Sequence, residues 1–172
     1  MVGCAPHRDL PFMGQVPAFA MTAQDGKPFS SEALAGHVWV ADFIFTHCPG
    51  PCLRMSSLMH RVQTRTSRDP EIKLLSFTVD PARDTPSVLA TFAKRYQADP
   101  DRWTFLTGAQ ATLQMLSRDT FKLGDVDGSM NHSTRFVLVD KRGRVRGVYG
   151  TQDDDPVGRV TADALQLERD NS

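Results

Sequence analysis

The sequence predicts one mixed α/β domain, a sheet sandwiched by helices, from three observations. A turn dipeptide, Asp25-Gly26, separates two short segments able to pair as strands. From Val38 onward, strand-like apolar runs alternate with helical stripes. The chain then closes on two strands around Lys141-Arg142-Gly143, followed by a helix, and this order of elements gives an α/β sandwich.

Taken in order, residues 1–15 form an irregular lead-in carrying Pro6, Pro11 and Gly14, and residues 16–172 form the single domain. The hairpin "FAMTAQDGKPFS" opens the fold. Val38 to Phe45 is a strand, Pro51 to about Thr64 a helix and Ile72 to Val79 a second strand, which together make a parallel crossover. Thr85 is placed to cap a helix with Pro86 at its first position, and Val88, Leu89, Phe92, Ala93 and Tyr96 fall on one stripe. "WTFLT" reads as a strand and Ala109 to Ser117 as a helix. "RFVLVD" and "VRGVYG" are the closing pair, and the last helix buries Val157, Val160, Ala164 and Leu167. No internal repeat or low-complexity tract interrupts this pattern.

Composition excludes several function classes. With 20 basic and 20 acidic residues among 172, no net field recruits nucleic acid or an anionic membrane. The longest apolar stretch, Val38 to Phe45, is interrupted by Asp42 and has less than half the ~20 residues that a membrane helix needs, so no transmembrane segment is expected. Three cysteines, Cys4, Cys48 and Cys52, are too few for a disulfide-rich scaffold, and the second pair stands out.

Cys48 and Cys52 lie where a strand gives way to a helix, at the carboxyl edge where α/β folds gather working residues. Pro49 pushes Cys48, and Pro51 pushes Gly50, out of the helical region, so the helix starts no earlier than about Pro51. Cys48 is therefore expected on the loop and Cys52 in the first helical turn, where free amides and the helix dipole favour a thiolate. This placement serves a metal site and a reversible disulfide alike. A typical zinc site needs four ligands, and no second cysteine pair exists. Among the histidines, His7 lies in the tail, His37 opens a strand, His60 lies off the apolar stripe of its helix and His47 precedes Cys48. His132 sits on a polar turn before a late strand and by itself reads as a surface or capping residue. Met55 and Met59 share helical spacing with Leu58 and Val62 and read as core.

"FIFTHCPGPC", "FTVDPARDTP", "DPDRWTFLTG" and "HSTRFVLVDKRGRVRGVY", in this order, resemble the Sco/SenC family over roughly Val16 to Tyr149. These are proteins of thioredoxin-like fold associated with copper delivery to cytochrome c oxidase. The resemblance implies a thioredoxin-like fold with an N-terminal β-hairpin extension, and a copper site at Cys48, Cys52 and His132. Two soft thiolates suit Cu(I), and an added imidazole supports Cu(II). Many relatives carry proline after the second cysteine, where this chain has Leu53, and the segment "FKLGDVDGSM" before His132 is short and rich in Gly and Asp.

Two functional classes follow from the resemblance. One is a copper metallochaperone acting in assembly of cytochrome c oxidase or another cuproprotein. The other is a thiol-disulfide oxidoreductase in which Cys48 and Cys52 cycle and reduce a client's cysteines. Thioredoxin-like reductants usually carry a cis-proline before the strand facing the active site, where this chain has Asn131-His132-Ser133-Thr134; that favours copper. A peroxiredoxin would have Pro and Thr at the positions of Ala41 and Phe45. The expected partners are a cuproprotein client, with an oxidase subunit the leading case, and a thiol-disulfide reductant. The expected location is the periplasm or the outer face of the cytoplasmic membrane. Gly3 before Cys4 resembles the end of a lipoprotein signal, which would make Cys4 a lipid anchor; the alternative is a free thiol in a loose tail. "DPARDTP" reads first as a turn organised by Asp80 and Asp84, with partner docking as the second reading.

Overall fold

The computed structural model describes residues 8–47, 49–126 and 133–170, leaving the side chain of Cys52 outside the description. Among the described residues, seven strands form one sheet: β1 (Ala20–Ala23), β2 (Pro28–Ser30), β3 (Trp39–Ile44), β4 (Lys73–Thr78), β5 (Trp103–Thr107), β6 (Arg135–Val139) and β7 (Val145–Gly150). Their order across the sheet is β2-β1-β5-β4-β3-β6-β7. Helices α1 (Pro51–Arg65), α2 (Pro86–Arg95), α3 (Gln110–Gln114) and α4 (Pro156–Arg169) connect or follow the strands. This is the α/β architecture that the sequence pattern predicts.

The crossover at its centre is parallel. β3 pairs with β4 from Trp39↔Lys73 to Ile44↔Thr78, and β4 with β5, so all three strands end at one edge of the sheet. β6 runs antiparallel to β3, with Ala41 opposite Val137, and so begins at that same edge. The opening hairpin turns at Gly26, whose φ of +81° suits glycine. It is not a free-standing extension, because β1 also pairs antiparallel with β5 through Thr22↔Thr107 and extends the central sheet.

Strand alternation divides the core. Val40 and Ile44 of β3 face α1, α2 and α4, together with Met55, Met59, Leu89, Phe92, Val157 and Val160. Trp39, Ala41 and Phe43 face the other layer, with Met21, Leu34, Leu113, Leu116 and Phe121. Thr85 Oγ1 accepts from the Val88 amide at 3.4 Å and Pro86 opens α2, as the spacing predicts. The helix expected over Ala109–Ser117 differs. Its α-helical part stops at Gln114 and continues as a π-helical turn over Met115–Thr120. The Phe121 amide reaches the Leu116 carbonyl at 2.9 Å, a span of five residues, and the wider turn places both Leu116 and Phe121 in the core.

The segment 8–16 lies along β7. Met13 N–H donates to the Val145 carbonyl at 2.9 Å, and Arg146 Nη2 donates to the Leu10 carbonyl at 2.6 Å. Among the described residues, no helix is long and apolar enough to cross a membrane.

Candidate metal centre

β3 carries the chain to the carboxyl edge, and the loop that follows is anchored from below. Asp84, fully buried in the turn between β4 and α2, accepts from the Thr46 amide at 3.1 Å, from Thr46 Oγ1 at 2.6 Å and from Thr78 Oγ1 at 2.6 Å. Thr78 ends β4, so one carboxylate ties the exit of β3 to the exit of β4 and the entrance of α2. Asp84 is itself held by its own amide, which donates to the Asp80 carbonyl at 2.9 Å, while the Asp80 amide donates to Thr78 Oγ1 at 2.9 Å. Because Thr46 Oγ1 donates to Asp84, it accepts from His47 Nδ1 at 3.1 Å, which turns the exposed imidazole back toward the loop. The "DPARDTP" turn is therefore structural, as its sequence suggests, and its reach extends to the residues just before Cys48.

α1 begins at Pro51, as the two prolines require, so Cys52 lies in its first turn. Gly50 is the N-cap: its carbonyl accepts from the Leu53 and Arg54 amides at 3.1 and 3.3 Å, it offers no side-chain cap, and no acidic residue sits in the first turn. No carboxylate of its own first turn compensates the positive end of this 15-residue helix. That end favours anionic sulfur nearby.

The start of β6 is joined to the same helix. The Thr151 amide donates to the Thr134 carbonyl at 2.9 Å, and Arg54 Nη2 donates to the Thr151 carbonyl at 3.1 Å. Thr134 stands two residues after His132. The segments that flank Cys48, Cys52 and His132 therefore meet at one edge of the sheet, although Cys4, Cys48, His132 and the Cys52 side chain lie outside the described residues.

The remaining sequence candidates are placed elsewhere. Met55 and Met59 are fully buried in the core, where their thioethers pack rather than face the edge. His37 Nδ1 lies 3.1 Å from the Glu71 carbonyl oxygen and 3.2 Å from Glu71 Oε2, before the start of β3 and so at the opposite end of that strand from the cysteine loop. Among the described residues, no cluster of three or more His, Cys, Asp or Glu side chains could hold a metal.

Sequence reasoning placed Asp84 in its turn and Asp42 as a break in an apolar run, but missed what each carboxylate holds. The link from Asp84 to Thr46 has no local signature, since the partners are 38 residues apart. Asp42 did leave a signal, a carboxylate inside the apolar run "VWVADFIF". It is fully buried, accepts from Ser76 Oγ at 2.6 Å, and its Oδ2 has no partner. Ser76 Oγ in turn accepts from Trp103 Nε1 at 3.0 Å. Burial drives the Asp42 pKa from 3.8 to about 7, against the opposing hydrogen bond from Ser76.

With this geometry in place, likeness to known proteins decides the family. A model of the SCO1/SenC family matches residues 12–165. The chain belongs to the SCO1/SenC family. It is 33% identical over 159 residues to the SCO1 protein homolog of Bacillus subtilis, covering 89% of this chain and 82% of that protein. A SCO1/SenC family lipoprotein from Bacillus anthracis superposes with a TM-score of 0.81 at 32% identity, covering 90% of this chain and 95% of that one. BsSco, described as a member of the Sco family of cytochrome c oxidase assembly proteins and as having a disulfide switch, also gives 0.81 at 30% identity, covering 94% and 99%. ScoI of Bradyrhizobium japonicum, solved with copper bound, shares the fold at a TM-score of 0.72 and 23% identity, covering 88% and 98%. The thioredoxin-like Sco fold expected from the motifs is the fold that the structure has.

Proposed function

We propose that this protein is a copper metallochaperone that holds copper at Cys48, Cys52 and His132 and passes it to a cuproprotein client, a cytochrome c oxidase subunit being the leading candidate. The observation that carries the reading is the meeting of three segments at one sheet edge: the Thr46–His47 loop fixed by Asp84, the uncapped first turn of α1, and the Thr134 strand start held through Thr151 and Arg54. The donor set suits the cargo. Two thiolates favour Cu(I), the imidazole adds a ligand for Cu(II), and the positive helix end supports the thiolate form that both ions require. The relatives support it too: BsSco is a member of a family of oxidase assembly proteins, and ScoI was solved with copper.

A dithiol function is the second reading, favoured by the disulfide switch described for BsSco. In that reading a thiolate of the Cys48–Cys52 pair attacks a client disulfide, a mixed disulfide forms, and the second thiolate resolves it, leaving the client reduced and the pair oxidised. The same sulfurs serve both chemistries, so disulfide formation switches copper binding off. The proposed location is outside the cytoplasmic membrane, with Cys4 as lipid anchor; the lipoprotein from Bacillus anthracis supports this placement.

The two readings separate at His132. His132→Ala should weaken Cu(II) binding far more than Cu(I) binding in a chaperone, because two thiolates still hold the softer ion. Unchanged affinity for both ions, together with rapid reduction of client disulfides by the wild type, would replace the chaperone reading with the oxidoreductase.

A further inference from the structure

A groove of about 430 Å³ opens beside the cysteine loop, between Thr46–His47 and one face of α2. Val88 and Phe92 form its apolar floor, Thr91 and His47 its polar rim, and Arg95 closes the far end. These α2 positions recur at helical spacing and span about 10 Å along the helix axis, the reach of roughly three extended residues. Among the described residues, no carboxylate lines the groove, and Arg95 is its one permanent charge. Lys94 and Arg95 both sit in the last turn of α2, and the Arg95 guanidinium lies 5.8 Å from the Tyr96 ring centroid with no ion pair to a carboxylate among the described residues. Asp84, the nearest buried carboxylate, spends its oxygens on Thr46 and Thr78.

We propose that this groove docks an extended segment of the client protein, with an apolar side chain over Val88 and Phe92 and an acidic side chain against Arg95, so that the client's cysteine is delivered to the loop at Cys48. The inference rests on the function proposed above. Charge complementarity selects the occupant: a cationic end without a carboxylate repels basic segments and attracts acidic ones, while the apolar floor holds the chain close enough to matter. Because His47 belongs both to the groove wall and to the loop that leads to Cys48, a docked segment continues directly into the site.

The test uses the oxidised protein and two synthetic peptides, Cys-Gly-Phe-Thr-Glu and Cys-Gly-Phe-Thr-Lys, each attacking the Cys48–Cys52 disulfide through its thiolate. The attack breaks the protein disulfide, forms a mixed disulfide and releases one protein thiolate. The expected result is a rate roughly tenfold higher for the acidic peptide at low salt, shrinking as salt is added, from one favourable and one unfavourable contact at Arg95. Arg95→Glu should invert this preference, whereas Lys94→Glu, which changes net charge equally but lies off the groove lining, should leave it unchanged. Equal rates for the two peptides with the wild type, or the same effect from Lys94→Glu as from Arg95→Glu, would overturn the proposal. Reaction with 2-mercaptoethanol keeps the two readings apart: if it fails as well, the cysteine site assignment falls, and if it proceeds without peptide preference, only the groove does.

Discussion

Asp84 and Asp42 are both sealed from solvent, one at the edge beneath the candidate site and the other in the strand that leads to it, yet they are satisfied very differently. Asp84 accepts three hydrogen bonds, two of them from Thr46. Asp42 accepts one, from Ser76, and leaves Oδ2 without a partner. A buried carboxylate whose lone pairs are met can bind segments together, whereas one left half-satisfied favours its neutral form. The edge has thus received the better-made polar cluster, which anchors the Thr46–His47 stretch leading from β3 toward α1.

Removal of Asp84 should have the largest effect on stability. Asp84→Ala strands the Thr46 amide and the Thr46 and Thr78 hydroxyls, and should cost on the order of 4 to 5 kcal/mol in urea unfolding. A loss below about 1 kcal/mol would mean that water replaces the carboxylate easily and that the anchor is not one.

Asp42 should give the next largest effect, with a pH signature. Its folded pKa of about 7 lies above the ordinary 3.8, so the native state holds a proton that the unfolded chain releases across that interval. The favourable contribution is complete below about pH 4 and is lost as pH rises through about 7, with a ceiling of roughly 4 kcal/mol. Asp42→Asn cannot titrate, so the stability difference between variant and wild type should climb in the variant's favour from pH 4 to 8. A difference that stays flat with pH would contradict the assignment of Asp42 as the titrating group.

A smaller effect is expected where the satisfied cluster meets the loop. Thr46→Val keeps the backbone bond to Asp84 but removes the hydroxyl that holds both Asp84 and His47, and should cost about 1.5 kcal/mol. Amide hydrogen exchange at Gly50 and His47 should accelerate in this variant; unchanged exchange would show that the hydroxyl does not restrain the loop. His47→Ala, at an exposed side chain, should change stability by no more than about 0.5 kcal/mol.

The elements were legible in the sequence where a local rule fixed them. Pro51 sets the start of α1, Thr85 and Pro86 set the start of α2, and Asp25-Gly26 sets the hairpin, because each acts through its own backbone. The π-helical turn after Gln114 was not legible, since it satisfies the packing of Leu116 and Phe121 rather than a local propensity. Nor was the docking of β1 on β5, a pairing between strands more than 80 residues apart that only the folded sheet brings together. For the candidate site, the cysteine spacing and its place after a strand could be read directly, while the role proposed for His132 rests only on the family motif. The framework beneath them, from Asp84 to Thr46 and from Arg54 through Thr151 to Thr134, depends on contacts between distant segments that leave no periodic trace.

If copper is held at this edge by Cys48, Cys52 and His132, a Cu(I) titration of the reduced protein against a competing chelator should reveal it. The expected result is one copper per wild-type chain, loss of tight binding in Cys48→Ser and in Cys52→Ser, and protection of both thiols from alkylation by the bound metal. Undiminished affinity in either cysteine variant, or stoichiometric copper on the oxidised protein, would place the metal elsewhere and contradict it.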